Sequence, residues 1–287
     1  MKRRWAAVLV SISACIVATF APLVPLPASA SPPAPAERIL SLSASATQML
    51  YAIGAGKQVV GVDKYSTWPP SAPRTKLTGY ELSAEAYLYL HPDLVVFAFS
   101  EGSLIRQLAD LHIRTLLLPP AATMAQVDGQ LAELGQVTGH AARARAVERS
   151  LAAHVAAAVR SARGRGEGDT YYIELGPGYY TATSKTFMGA ELSLFGLEDI
   201  ADPAGKGTMW PQVSAGYVLK ENPDYVFLAD TVCCHQTASS FAKRPGFSLL
   251  RAVELHHVVP VNDSFAQEWG PHSIEAFVGL IASVLAK

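Results

Sequence analysis

Between residues 141 and 163 the chain reads AARARAVERSLAAHVAAAVRSAR. Its apolar Val147, Leu151, Val155 and Val159 recur every four residues, while Arg143, Arg145, Glu148, Arg149 and Arg160 fall mostly elsewhere. That spacing predicts a one-sided helix, and alanine, arginine and glutamate favour it locally. At ~1.5 Å per residue it runs roughly 33 Å, about the width of a small domain, long enough to be a strut between two lobes. Gly139 before it and Gly164, Gly166 and Gly168 after it mark its ends. On the N-terminal side the pattern predicts strands at 38–42, 59–62, 94–97 and 113–118. Helices are expected between them at 44–53, at 81–90 with Ser83 as N-cap, and at 104–111. On the C-terminal side strands are expected at 170–175, 225–228 and 258–261, with helices at 190–195, 217–221 and 273–286. Strands and helices alternating at this spacing imply parallel βαβ units.

Leu90-x-Pro92-Asp93-Leu94-Val95-Val96 in the first half is echoed by Asn222-Pro223-Asp224-Tyr225-Val226-Phe227 in the second. In each, a helix ends at proline and a buried strand begins. The expected fold is therefore α/β: two Rossmann-like lobes with parallel sheets, residues 37–139 and 165–287, joined by the single long helix within residues 140–164.

With 287 residues, half of them apolar, the chain can bury a full core. Its 23 basic and 24 acidic residues give a net charge of −1, which offers nothing to nucleic acid. Lys2-Arg3-Arg4, an apolar run to about Leu26 and Ala28-Ser29-Ala30 read as a signal peptide over residues 1–30, followed by a Pro/Ala linker at 31–36. The prolines at 22, 25 and 27 argue against a retained membrane span. The product is expected to be exported, to a periplasm or to the outer face of the cytoplasmic membrane. Ile12-Ser13-Ala14-Cys15 resembles a lipoprotein box, so a lipid on Cys15 and ordinary secretion are both open, and that lipid would be the one membrane contact. The other two cysteines, Cys233 and Cys234, are adjacent and cannot staple distant parts of a fold. A bond between them would close an eight-membered ring.

Several stretches resemble the helix-linked class of substrate-binding proteins of ABC importers, which deliver vitamin B12, ferric siderophores and haem. They are Ile39-Leu40-Ser41-Leu42, Gly61-Val62, Tyr65-Ser66-x-x-Pro69-Pro70, Glu85 before Leu90-x-Pro92-Asp93, Trp210-Pro211-Gln212-Val213-Ser214 and Asn222-Pro223-Asp224. The resemblance runs from about Glu37 to the C-terminus, and the Tyr65 and Trp210 motifs look most like the vitamin B12 binders. It implies a monomer that hands a small metal chelate to an ABC permease and its ATPase, with no intrinsic cofactor. The chelate would be a corrinoid first, a ferric siderophore or haem next. It also implies one docking glutamate on each lobe. Glu85 fits the first; the second position is Gly216, so that contact is absent or moved to Glu221.

The residues themselves support a cleft. Loops after strand C-termini line the crevice of an open α/β lobe. Here they carry Tyr65, Trp68, Tyr80 and Phe99 in the first half and Tyr179, Tyr180, Trp210, His235 and Trp269 in the second, rings suited to a large flat ligand. His235 is a candidate metal ligand. His272, where the family usually has arginine, would be a pH-dependent anchor. Two other readings stay open. One is a stand-alone sensor or chaperone for haem or another metal chelate on the same fold. The other is a secreted hydrolase, which the absence of G-x-S-x-G, H-E-x-x-H and Walker motifs disfavours. The chain is expected to have no catalytic activity.

Overall fold

The computed structural model describes residues 34–80, 83–99 and 102–287. The signal peptide, Cys15, the first half of the linker, and Glu81 and Leu82 at the head of the expected 81–90 helix lie outside the described residues. The first half contains β1 (Ile39–Leu42), α1 (Ala44–Ala52), β2 (Val59–Val62), α2 (Glu85–Leu88), β3 (Leu94–Phe97), α3 (Gly102–Asp110), β4 (Arg114–Leu117) and α4 (Met124–Val137). Then α5 (Ala141–Ser161) leads to β5 (Thr170–Glu174), α6 (Phe187–Ser193), β6 (Glu198–Asp199), α7 (Ala215–Glu221), β7 (Tyr225–Leu228) and α8 (Thr231–Cys234). The chain closes with α9 (Ala238–Ala242), α10 (Arg251–Glu254), β8 (Val258–Pro260), α11 (Asp263–Gln267) and α12 (Pro271–Leu285).

The strands form two parallel four-stranded sheets, ordered β2-β1-β3-β4 and β6-β5-β7-β8. Numbered within its half, each sheet reads second-first-third-fourth, so the halves share one topology. The repeated Pro-Asp explains part of this. The Asp93 carboxylate accepts from Glu37 N (2.8 Å) and Arg38 N (3.1 Å) at the start of β1. The Asp224 carboxylate accepts from Thr170 N (2.8 Å) at the start of β5. In both halves an aspartate before the third strand ties down the head of the first, giving backbone donors that precede the ladder a partner.

Helix α5 buries Ala144, Leu151 and Val155 and rests Val147 and Val159 against the core, the face expected of it. It does not stand free, because α4 and α12 pack along it. Helix α4 was not expected. Thr123 caps it, its hydroxyl accepting from Gln126 N, and Val127, Leu131 and Leu134 are buried on one face. Gly135 breaks the local helix signal for a tertiary reason: a Cβ there would come within 2.7 Å of Ala144 Cβ on α5. One apolar core runs through both halves, from Ile39 and Val96 to Phe227 and Phe277.

A polar seam also joins the halves. Gln48 of α1 donates to Glu268 Oε2 (2.5 Å) and Ser273 Oγ (2.8 Å), and its Oε1 accepts from Ser273 N (3.0 Å). Helix α12 has glycine at its N-cap, so a side chain from the other half of the chain satisfies its third backbone donor. Beside it, Trp269 N donates to Ser45 Oγ (3.0 Å) and the Trp269 indole N–H to Gln130 Oε1 (2.8 Å).

Candidate functional site

The C-terminal ends of β1, β2 and β3 release three loops on one edge of the first sheet. Between β1 and β3 the connections leave in opposite directions, the point where open α/β sheets hold ligands. Ser43 there caps α1, accepting from Ala46 N. Asp63, just past β2, is buried and accepts from Ser66 N (2.8 Å). A cavity of about 310 Å³ opens at this point. Its rings are Tyr65, Tyr80, Phe99 and Trp269, and its carboxylates are Asp63 and Glu268. Tyr80 and Phe99 stack at 5.6 Å, and Tyr65, Tyr80 and Phe99 are each about half exposed or more. The described residues lining it include no lysine or arginine, and the Lys64 ammonium lies 4.8 Å from the Tyr65 ring centroid at its margin. Burial pushes Glu268 up to about 7 against hydrogen bonds from Ser264, Gln48 and Ser273, and burial raises Asp63 as well.

Four expected residues therefore meet in one cavity, and two meet elsewhere. Trp68 and His272 stack on each other, centroids 3.9 Å apart and planes 10° off parallel. They line a second cavity of about 510 Å³ with Gln48, Tyr51 and residues of α5. Burial lowers the His272 pKa, so the ring is neutral near pH 7.

In the second half Tyr179 and Tyr180 follow β5 and pair with the segment that carries Trp210. Thr181 N donates to Pro211 O (3.0 Å) and Val213 N to Tyr179 O (3.1 Å). This leaves Tyr180 and Trp210 about half exposed. His235 is exposed, with φ 55°, as the residue ending α8. No group of three or more His, Cys, Asp or Glu side chains is placed to hold a metal ion among the described residues. Glu85 is exposed in the first turn of α2. Gly216 is exposed in the first turn of α7, and Glu221 at the end of α7 pairs with Lys220 at 2.9 Å.

Beneath this second rim lies a charged cluster that no local pattern announced. Arg244 donates to both oxygens of fully buried Glu174 (2.7 and 2.5 Å) and to Gln236 Oε1 (3.1 Å). Its guanidinium lies 4.8 Å from the Phe241 ring centroid and 5.4 Å from that of Tyr179. Asp230, also fully buried, has no hydrogen-bond partner on either oxygen. Burial, reinforced by the Glu174 carboxylate and opposed by Arg244, pushes Asp230 up to about 7.

This cluster has a pH signature. A carboxyl whose folded pKa is raised binds its proton more tightly in the native state. Stability therefore falls as pH rises from the unfolded value near 4 to about 7, and is level above. The charged groups facing Asp230 are Glu174, Arg244 and Asp263. Asp230→Asn removes the penalty and should raise the melting temperature by about 3 °C at pH 8, with no gain at pH 4. An equal gain at both pH values in thermal unfolding would contradict the assignment.

A family model described as periplasmic binding protein matches residues 39–263. The vitamin B12-binding protein of Yersinia pestis is 30% identical over 225 residues, covering 76% of this chain and 77% of that protein. An uncharacterized ABC transporter substrate-binding lipoprotein of Bacillus subtilis is 28% identical over 257 residues, covering 86% of this chain and 80% of that protein. Among solved structures, the periplasmic vitamin B12 binding protein of Vibrio cholerae superposes with a TM-score of 0.72 at 23% identity, over 88% of this chain and 99% of that one. A periplasmic heme-binding protein from Roseiflexus sp. RS-1 gives 0.75 at 22% identity, over 87% and 98%.

Proposed function

The chain belongs to the periplasmic binding protein family, and from that premise we propose that it captures a corrinoid outside the cytoplasm for an ABC permease and its ATPase, without catalysing a reaction. The observation that carries the ligand choice is the make-up of the 310 Å³ cavity. Its rings offer flat apolar area at little entropic cost. Its charged groups are Asp63 and Glu268, both acceptors when ionised. A corrin carries peripheral carboxamides, whose N–H groups are donors that such carboxylates accept. Haem presents two propionates, and a ligand with carboxylates calls for lysine or arginine at its anchor. Tyr179, Tyr180 and Trp210 would close on the other face of the guest, with the lobes at 37–139 and 165–287 approaching across the cleft. Glu85 would meet the permease from the first lobe and Glu221 from the second.

Titrating the mature protein with cyanocobalamin, haemin and a ferric siderophore, read by tryptophan fluorescence, tests this. Quenching by cyanocobalamin is expected, weakened roughly tenfold or more in Tyr65→Ala and Trp210→Ala. Saturable quenching by haemin without cyanocobalamin would replace the corrinoid with haem. Silence with all three would remove the metal-chelate reading.

A further inference from the structure

Cys233 and Cys234 are the last two residues of α8 and are bonded to each other. Disulfides stabilise folds by closing a loop of the unfolded chain. One between neighbours closes only its own small ring, so it adds little to the fold. Helix α8 is held by other means. Val232 N and Cys233 N donate to the Asp263 carboxylate (3.0 and 2.8 Å), and the Thr231 hydroxyl donates to Val261 O (2.6 Å). The oxidised pair is thus presented on a backbone already clamped from α11 and from the residue that follows β8.

The topology says where it is presented. Helix α8 leaves the C-terminal end of β7, the third strand of its sheet, next to β5. This is the switch point of the second half. At the matching place in the first half, after β3, Ala98 and Phe99 line the cavity. Helix α11, whose Asp263 holds the pair, ends in Gln267, and Gln267, Glu268 and Trp269 line that same cavity. Val232 is 60% exposed, and Cys233 and His235 are exposed beside it.

We infer that Cys233–Cys234 is a redox-switched contact on the second rim of the cleft. As a disulfide it offers the guest a fixed face of two sulfurs; as a dithiol it binds the guest more weakly. The inference rests on the reading of the cleft as the ligand site. Reduction has its own balance. A thiolate of an external dithiol attacks one Sγ and the S–S bond breaks. The departing Sγ keeps the electron pair and takes a proton. The second thiol of the reductant then displaces the other Sγ, which is also protonated, leaving the reductant as its disulfide. Two electrons and two protons have moved. The freed side chains regain rotamers that binding must again restrict, and their S–H groups need partners.

The test uses the mature protein in three forms: as purified without reductant, after dithiothreitol treatment and anaerobic desalting, and as Cys233→Ser/Cys234→Ser. Iodoacetamide should label no cysteine in the first form and both in the second. Cyanocobalamin should bind the first form roughly five- to tenfold more tightly than the other two. The melting temperature of the serine pair should match that of the oxidised protein within about 1 °C, as expected of a bond that does not support the fold. Labelling before reduction, even after treatment with oxidised glutathione, overturns the inference. So does equal affinity in all three forms, which leaves the ligand reading standing. Absence of cyanocobalamin and haemin binding in every form removes the ligand reading and this inference with it.

Discussion

Replacing Arg244 by methionine should cost about 3–5 kcal/mol of stability, the largest loss expected of any single substitution in the second half. The reason lies in what the guanidinium leaves behind. Glu174 is fully buried, receives both Arg244 N–H groups and also accepts from Tyr172 Oη at 3.3 Å. Asp230 is fully buried beside it. Methionine keeps most of the apolar stem against Phe241 and Tyr179, so the loss is electrostatic rather than a cavity. For a chain of this size the melting temperature should fall by about 10 °C. Two features separate this from a general packing defect. The deficit should shrink at pH 5, where Asp230 carries a proton and less uncompensated charge is left buried beside Glu174. Arg244→Met/Glu174→Gln should recover most of the loss, because the uncompensated charge leaves with its partner. A single-variant loss below about 1 kcal/mol, or one independent of pH, would show that the pair does not neutralise the cluster.

That cluster also shows where sequence reading stops. The alternation of strands and helices, the long α5 and the duplicated Pro-Asp were legible because each is written in neighbouring residues: β-branched runs, a period of four, a proline at a helix end. The rings of Tyr65, Tyr80, Phe99 and Trp269 could be named because each sits in a loop beyond a regular element, and topology delivers such loops to one edge. Trp68 and His272 met the same criterion, yet they stack on each other in the cavity beside α5. Loop position carries no information about which way a ring turns. Helix α4 was hidden by Gly129 and Gly135, and Gly135 serves a close approach to Ala144 that only the packed structure reveals. Least legible were the buried polar groups. Glu174 lies 70 residues from Arg244 and Gln48 lies 220 from Glu268, and no local pattern encodes partners at such separations. A lone glutamate beside a tryptophan, as at Glu268-Trp269, was the one available hint of a polar group at the cavity.

Gly270→Ala should be the most damaging change at the seam between the halves. The backbone there is ordinary, φ −82° and ψ 157°, so glycine is required by space rather than conformation. A Cβ would sit 2.6 Å from both Cβ and Cδ of Gln48. The Cβ of Gln48 follows the α1 backbone, so a side-chain rotation does not relieve the clash, and α1 must move away from α12. That motion stretches the three hydrogen bonds Gln48 makes to Glu268 and Ser273. A loss of about 2–3 kcal/mol follows from the overpacking and the broken cap. Affinity for the guest should fall as well, since Glu268 and Trp269 line the cavity from the same segment. Gln48→Ala alone should cost about 1–2 kcal/mol through the lost cap on α12 and the lost donor to Glu268. The two changes should not add: with Gln48 cut back, the new methyl finds room, and the double variant should lie about 1–2 kcal/mol above the sum of the singles. Strict additivity in a denaturant double-mutant cycle would mean that Gly270 and Gln48 do not share this space.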